Sequence, residues 1–165
     1  MNANRIIKQN EALEAWSNNP KSTLNLCTGF GKTYMAIRVI EKVYNHLIKN
    51  GQTDIKVLII VPTEIIRDKV FPSEFKKFGK MNLLKYCQIS CIQTVYKYEN
   101  TEWDLVVCDE IHNYLPENGK SGYEYFKFFE LNKYRYILGL SASIDLNRMD
   151  FLNKIAPISY ALSLE

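Results

Sequence analysis

Two short stretches hold most of the residues that could do chemistry. Residues 28–33 read TGFGKT, and residues 109–112 read DEIH. In the first, Gly29 and Gly31 accept backbone angles closed to other residues, so the chain can curl around an anion. The amides of Thr28, Gly29, Phe30 and Gly31, with the positive end of a following helix, then point at phosphate oxygens. Lys32 adds a compact cation for the outer phosphates, and Thr33 adds a hydroxyl able to ligate Mg²⁺. In the second stretch, Asp109 can hold Mg²⁺ through water, and Glu110 can orient and deprotonate an attacking water. Phosphoryl transfer asks for little beyond such placement and charge neutralisation. Lys32, Asp109 and Glu110 are therefore candidate catalytic residues, and Thr33 and Asp109 candidate metal ligands.

Each stretch also admits a plainer role. A glycine-rich turn can precede lysine and threonine by chance, and an acidic pair near a histidine is often a surface turn. Context separates these readings. TGFGKT follows the apolar stretch TLNLC (23–27) and opens a helical pattern, which is the setting an anion cradle needs. The octapeptide LCTGFGKT departs from the strict G-x-x-x-x-G-K-[ST] form at its first position. Leu26 reads as the last apolar residue of the strand, since only the amides after it cradle phosphate. DEIH follows another apolar run, DLVVC (104–108).

The remaining sequence must bring these tips together. An amphipathic helix is expected over residues 5–17, ending at Asn18-Asn19-Pro20. A strand is expected over 23–27. A helix over 32–49 follows from Met35, Ile37, Val39, Ile40, Val43, Leu47 and Ile48 at helical spacing. The continuous apolar run IKVLIIV (55–61) fits a strand covered on both faces. Pro62-Thr63 opens a helix with Thr63 as N-cap, and Pro72 is expected to interrupt it and to start a second turn. Further strands are expected over 86–92, 104–108 and 135–140, the last clear one. Residues 122–131 read as a helix with a Tyr/Phe face, and 147–155 as weakly helical. Strand and helix alternate throughout, the layout of a parallel sheet with helices on both faces. Such sheets bind ligands at the carboxyl ends of their strands. The polar clusters TGFGKT, Pro62-Thr63, DEIH and Ser141-Ala142-Ser143 all follow strands.

Bulk properties set outer bounds. The chain has 165 residues, the size of one domain. No apolar run reaches the ~18 residues of a membrane span. The start, MNANRIIKQNEALEAW, has neither the apolar core nor the cleavage site of a signal peptide. The expected location is cytoplasmic, or otherwise intracellular or viral, with no membrane partner. Cys27, Cys87, Cys91 and Cys108 then read as buried free thiols, since Cys87 and Cys91 lack the second pair of a zinc site. A net charge of +3 permits a nucleic-acid partner without arguing for one, because binding needs a localised patch more than a total.

TGFGKT, Val61-Pro62-Thr63, DEIH and Leu140-Ser141-Ala142-Ser143 fall in the order and rough spacing of helicase motifs I, Ia, II and III. On these motifs nearly the whole chain resembles the superfamily 2 helicases, in their DExH branch, and looks most like the translocases of the restriction-enzyme and phage type. RIIKQNEAL (5–13) resembles the element that reads adenine in several members, with Gln9 facing the base. CIQTVYK (91–97) resembles the segment that touches the nucleic-acid backbone. The resemblance implies an α/β, RecA-like P-loop NTPase fold, ATP and Mg²⁺ as cofactors, and an ATP-dependent helicase or translocase activity. It gives Lys32 and Thr33 to the triphosphate and Mg²⁺, Asp109 to Mg²⁺, and Glu110 the part of general base. His112 would couple the ATP site to Ser141 and Ser143. The family usually ends that last motif in threonine, and Ser143 keeps the hydroxyl.

The same resemblance makes Pro62, Thr63, Gln93 and Thr94 contacts to phosphates of a bound strand, with Arg67 and Lys69 nearby. It favours DNA over RNA. Motors of this kind have a second RecA-like lobe that supplies arginine fingers, and nothing after Ser143 resembles its motifs. Residues 1–165 are thus expected to be a single ATP-binding lobe, with the second lobe absent and hydrolysis nearly silent. Plainer roles remain for several residues: N-cap for Thr63, solvated positions for Arg67, Lys69, Gln9 and His112. Packing competes with base stacking for Tyr123, Tyr125, Phe126, Phe128 and Phe129. Two other functions stay open, a non-catalytic nucleotide- or nucleic-acid-binding module and another P-loop NTPase such as a small kinase.

Overall fold

Six parallel strands form one sheet in the order β3-β2-β4-β5-β1-β6. The computed structural model describes residues 3–117 and 123–163. In chain order the elements are α1 (Ala3–Asn18), β1 (Lys21–Leu26), α2 (Lys32–Lys49), β2 (Val57–Val61), α3 (Phe71–Lys77), α4 (Met81–Leu84) and β3 (Cys87–Cys91). There follow β4 (Glu102–Asp109), α5 (Tyr123–Leu131), β5 (Lys133–Ser141), α6 (Met149–Ile155) and β6 (Ile158–Leu162). Among the described residues, no helix is long and apolar enough to cross a membrane.

Covering the sheet on both faces explains its continuous apolar runs. All five residues of β2 are buried. Val57, Ile59 and Val61 point into one core with Leu105, Val107, Leu138, Leu140, Trp16 and the apolar side of α2. Leu58 and Ile60 point into the other, with Val106, Cys108, Ile137, Phe126, Phe128 and Phe129. The aromatic face of α5 is therefore packing, with Tyr123 left exposed and Tyr125 half-buried. All four cysteines are free; Cys91 and Cys108 are buried as expected, whereas Cys27 and Cys87 are only half-buried.

Two expectations change, and one falls outside the described residues. A sixth strand, β6, follows 135–140 and pairs with β1; Ile158, Tyr160 and Leu162 alternate with smaller residues, a period-2 signal. Pro72 does not interrupt its helix. The chain from Ile66 to Val70 widens into a π-helical turn and runs on into α3 with Pro72 in its first turn. A first-turn position needs no amide bond from the proline. Gly122, expected to open the aromatic helix, lies outside the described residues.

Gly139 is where the sheet and the site meet. It stands in register between Thr23 of β1 and Cys108 of β4. A Cβ there would lie 2.3 Å from Thr23 Oγ1 and 2.8 Å from Ile111 Cδ1. Thr23 cannot simply rotate away, because its hydroxyl donates to the Ala156 carbonyl at 2.7 Å. The missing side chain lets the turn after β4 sit down on the sheet. Gly139→Ala is expected to lower stability by about 1–3 kcal/mol through overpacking, read as an earlier denaturant midpoint at unchanged slope. An unshifted midpoint would show this packing to be loose.

Candidate functional site

β1 ends at Leu26 and the chain turns at once. Gly29 (φ +80°) and Gly31 (φ +99°) both take the left-handed conformation, Gly31 immediately before α2. A Cβ on Gly31 would sit 3.2 Å from Arg5 Nη2 and 3.3 Å from Gln9 Nε2, so space and angle both ask for glycine. Helix α1 lies against this loop. Arg5 donates to the carbonyls of Gly29 (2.7 Å) and Phe30 (3.2 Å), and Gln9 Nε2 donates to Phe30 at 3.1 Å. Gln9 is 3% exposed, a strut under the loop rather than a solvated helix residue. With carbonyls held from that side, the first-turn amides of α2 have no partner within their own helix. Thr28 is exposed, the Phe30 side chain is buried, and Thr33 is half-buried in the first turn of α2.

The other half of the site comes from the end of β4. Asp109 is 8% exposed and pairs in register with Leu140 of β5. Glu110 follows with φ +53°, a left-handed conformation that is costly for a residue with a side chain. Lys32 Nζ lies 3.3 Å from Glu110 Oε1, which joins the glycine loop to the acidic turn. Burial, then the neighbouring Glu110, raise the Asp109 pKa to about 6 against the opposing pull of Lys32. β5 separates the two tips, so Lys32 and Asp109 approach from strands one apart in the sheet.

His112 and Ser141 close the arrangement. The Ser141 hydroxyl donates to the Ser143 carbonyl at 2.8 Å, which leaves its oxygen to accept from His112 Nδ1, also at 2.8 Å. Nδ1 therefore carries the imidazole proton, an assignment made from the bonding network. Glu110 Oε2 stands 3.5 Å from the same nitrogen. Burial lowers the His112 pKa; Glu110 opposes this, and Arg148 and Lys32 add to it, so the ring is neutral at pH 7. Ser143 takes part through its backbone carbonyl and is itself exposed. Beneath the turn, the buried Tyr114 hydroxyl reaches the carbonyls of Ile60 (3.1 Å) and Asp109.

A sequence model of the type III restriction enzyme, res subunit, matches residues 4–146. The chain belongs to this family. Among solved structures it is similar to the crystallised Hef helicase domain of Pyrococcus furiosus (TM-score 0.63, 19% identity, covering 97% of this chain and 37% of that one). It is also similar to a nuclease-deletion mutant of the Type ISP restriction-modification enzyme LlaGI in complex with a DNA substrate mimic (TM-score 0.61, 16% identity, 99% and 20% covered). A third is the ATP-dependent Type ISP enzyme LlaBIII bound to DNA (TM-score 0.57, 16% identity, 98% and 15% covered). These likenesses show the fold alone, an α/β RecA-like domain built on a parallel sheet. The chain spans well under half the length of each matched structure. Among curated proteins no sequence match is found.

Within this family member, the residues given to nucleic acid follow the ends of β2 and β3, with β2 directly beside β4 in the sheet. Pro62 and Thr63 follow β2, and the Thr63 hydroxyl faces Ile66 N at 3.4 Å in an N-cap arrangement. Gln93 is exposed, while Thr94 Oγ1 bonds the Cys91 carbonyl and Ser90 Oγ, both at 3.1 Å. Arg67 is held by Asp68 at 2.6 and 2.8 Å, and Lys69 is exposed. Two arginines outside the expected site residues touch the site, Arg5 being the first residue of the RIIKQ element and Arg148 belonging to no motif. Arg5 braces the glycine loop, and Arg148 binds the turn after Glu110. Arg5 was visible only as the first letter of RIIKQNEAL, and Arg148 carried no signal, since its contacts are long-range.

The raised Asp109 pKa has a measurable consequence. Between an ordinary 3.8 and about 6 the native carboxyl holds a proton that the unfolded one has lost. Stability contributed at this position therefore falls as pH rises through that window. Without added divalent cation, Asp109→Asn should match the parent near pH 4. It should exceed it by up to about 3 kcal/mol near pH 7, at ~1.4 kcal/mol per pKa unit. Urea titrations of both proteins across that range check this, and a pH-independent difference would contradict it.

Proposed function

We propose that this chain is the ATP-binding lobe of an ATP-dependent nucleic-acid helicase or translocase, acting on DNA. The observation that carries the reading is the meeting of Lys32 from the glycine loop, Asp109 and Glu110 from β4, and the His112–Ser141 pair at one end of one sheet. DNA is favoured because two of the similar structures, LlaGI and LlaBIII, are described with DNA.

The donor set suits Mg²⁺ and a triphosphate. Thr33 and Asp109 offer two hard oxygen ligands, few enough for an ion that keeps waters and substrate phosphates in its shell. Among the described residues, no group of three or more His, Cys, Asp or Glu side chains could cage a metal by itself. When bound, Mg²⁺ neutralises phosphate charge during transfer. The chain's own residues do the rest. Amides from Thr28 to Gly31 and the start of α2 hold phosphate oxygens, and Lys32 exchanges its Glu110 partner for them. Glu110, so released, orients the attacking water and takes its proton. His112, neutral and fixed by Ser141, keeps the acidic turn in step with β5. Gln9 borders a groove of about 450 Å³ between α1 and α2, also lined by Asn10, Tyr34, Arg38 and Phe78, where the base would lie. Pro62, Thr63, Gln93 and Thr94 meet the strand's phosphates at the ends of β2 and β3.

Full hydrolysis needs an arginine from a second RecA-like lobe against this end of the sheet. Such a finger is worth ~10³ to 10⁵ in rate, so this lobe should turn over ATP very slowly even with single-stranded or duplex DNA present. Robust, DNA-stimulated turnover in a steady-state assay would remove the second-lobe requirement. For the nucleotide site itself, calorimetry should show Mg·ATP binding that Lys32→Ala weakens roughly 10- to 100-fold, the scale of a lost charged hydrogen bond. Equal binding by the variant would end the phosphate-loop assignment.

A further inference from the structure

One arginine from the segment after β5 holds the turn that follows Glu110. Arg148 ends a short 3₁₀ turn, Leu146–Arg148, capped by the Asp145 carboxylate, which accepts from Asn147 N at 3.0 Å. From there its Nη1 donates to the carbonyls of His112 (2.6 Å) and Leu115 (2.9 Å), and its Nη2 donates to Glu117 Oε1 (2.8 Å). These carbonyls bracket the turn Ile111–Tyr114, whose own closing bond onto His112, from Leu115 N, is stretched to 3.5 Å. Arg148 is thus the short-range partner of a carbonyl that its own turn satisfies poorly. The guanidinium is partly buried, at 23% exposure, where charge-assisted bonds gain strength.

The need for such a hold is visible one residue upstream. Glu110 adopts left-handed backbone angles, φ +53° and ψ +54°, and β-carbon-bearing residues leave that region unless their surroundings enforce it. Tyr114 and Ile111 anchor the turn from inside the core. On its outer side two tethers reach it, Ser141 to the His112 ring and Arg148 to the His112 backbone. Ser141 is the last residue of β5, and Arg148 lies in the segment that follows it.

We infer that Arg148 is a positioning residue for hydrolysis: it fixes the backbone of the acidic turn so that the Glu110 carboxylate stays aimed at the reacting end of the nucleotide. This rests on the reading of Glu110 as general base. The fork geometry matters as much as the charge. Two nitrogens in one plane serve two carbonyls and a carboxylate, which a single ammonium cannot span.

Three measurements on the full chain test it, using Arg148→Lys and Arg148→Met. Amide exchange at residues 111–115 should rise about tenfold or more in both variants while β2, β4 and β5 stay protected. Hydrolysis of Mg·ATP in single turnover, with protein in excess, should fall about 10- to 100-fold, the cost of a misplaced reacting group. Mg·ADP affinity by calorimetry should stay within about twofold, since phosphate contacts are untouched. Lysine should not rescue. Unchanged exchange over 111–115, or parental hydrolysis in Arg148→Lys, overturns the assignment. If Arg148→Met loses its fold, Arg148→Lys, with retained exchange protection of the sheet, carries the comparison. A parent protein that binds no Mg·ADP would sink the nucleotide reading instead, and exchange at 111–115 would still decide whether Arg148 holds the turn.

Discussion

A carboxylate that is 8% exposed, followed in sequence by a second carboxylate, is held against its own solvation. Asp109 bears the cost of that burial as a pKa near 6. Its nearest relief is the Lys32 ammonium, which already serves Glu110 at 3.3 Å. One cation between two acids leaves an excess of negative charge at the end of the sheet, and so a demand for further positive charge there. The glycine loop makes the opposite offer, amides and a helix N-terminus that favour anions. A magnesium-bound triphosphate, the ligand proposed for this site, would satisfy both demands at once. Most of the other features of this lobe serve to keep these two poorly matched groups within reach of each other.

Sheet order does most of that. β5 lies between β1 and β4, and its Gly139 leaves room for Thr23 on one side and for Ile111 of the acidic turn above. Ser141 at its tip then reaches His112. Strands buried on both faces make this spacing stiff, since any shift of β5 would have to repack two cores at once. The left-handed angles of Glu110 are sustained by that stiffness, with Tyr114 gripping the turn from below. Burial of Gln9 under the loop extends the same logic to the other half of the site, because it ties α1 to the backbone of the glycine loop.

What could be read from the sequence was local. TGFGKT and DEIH announce themselves because the backbone angles, cation and carboxylates they need lie within a few residues. The strands before them are legible because double burial leaves no alternation to misread. Leu26 as the last strand residue falls in the same class. Other features were settled by partners distant in sequence. β6 is a strand because β1 has an open edge to fill, although its alternation of Ile158, Tyr160 and Leu162 was there to see. Pro72 stays within a continuous helical run because a π-helical turn places it in the first turn of α3, an adjustment that no propensity reveals. Gln9 read as a residue facing a base, with a solvated helix position as the plainer alternative, and its burial under the loop follows only from the docking of α1. The contacts of Arg148 span more than thirty residues of sequence, and nothing near it in the chain hints at them.

A continuous set of contacts runs from the glycine loop to β5. Lys32 pairs with Glu110, Glu110 lies beside His112 Nδ1, and that nitrogen bonds Ser141. Each step is electrostatic and short, so drawing Lys32 toward phosphate changes the field at Glu110 and, through it, the proton on His112. Spatial continuity alone does not make a switch; a bistable element is needed. The segment from Ser141 to Arg148 touches the acidic turn twice, once near each of its ends. Its ends hold the acidic turn, through Ser141 and Arg148, while its middle projects into solvent, with Leu146 at 84% exposure. A surface pressing on that middle would act on both tethers together, and through them on the turn that follows Glu110. The same geometry works in reverse, because a change in charge at Glu110 alters what the two tethers hold. Coupling between nucleotide and any partner docked on this edge therefore need not cross the core. It can pass through eight residues whose two ends share one target.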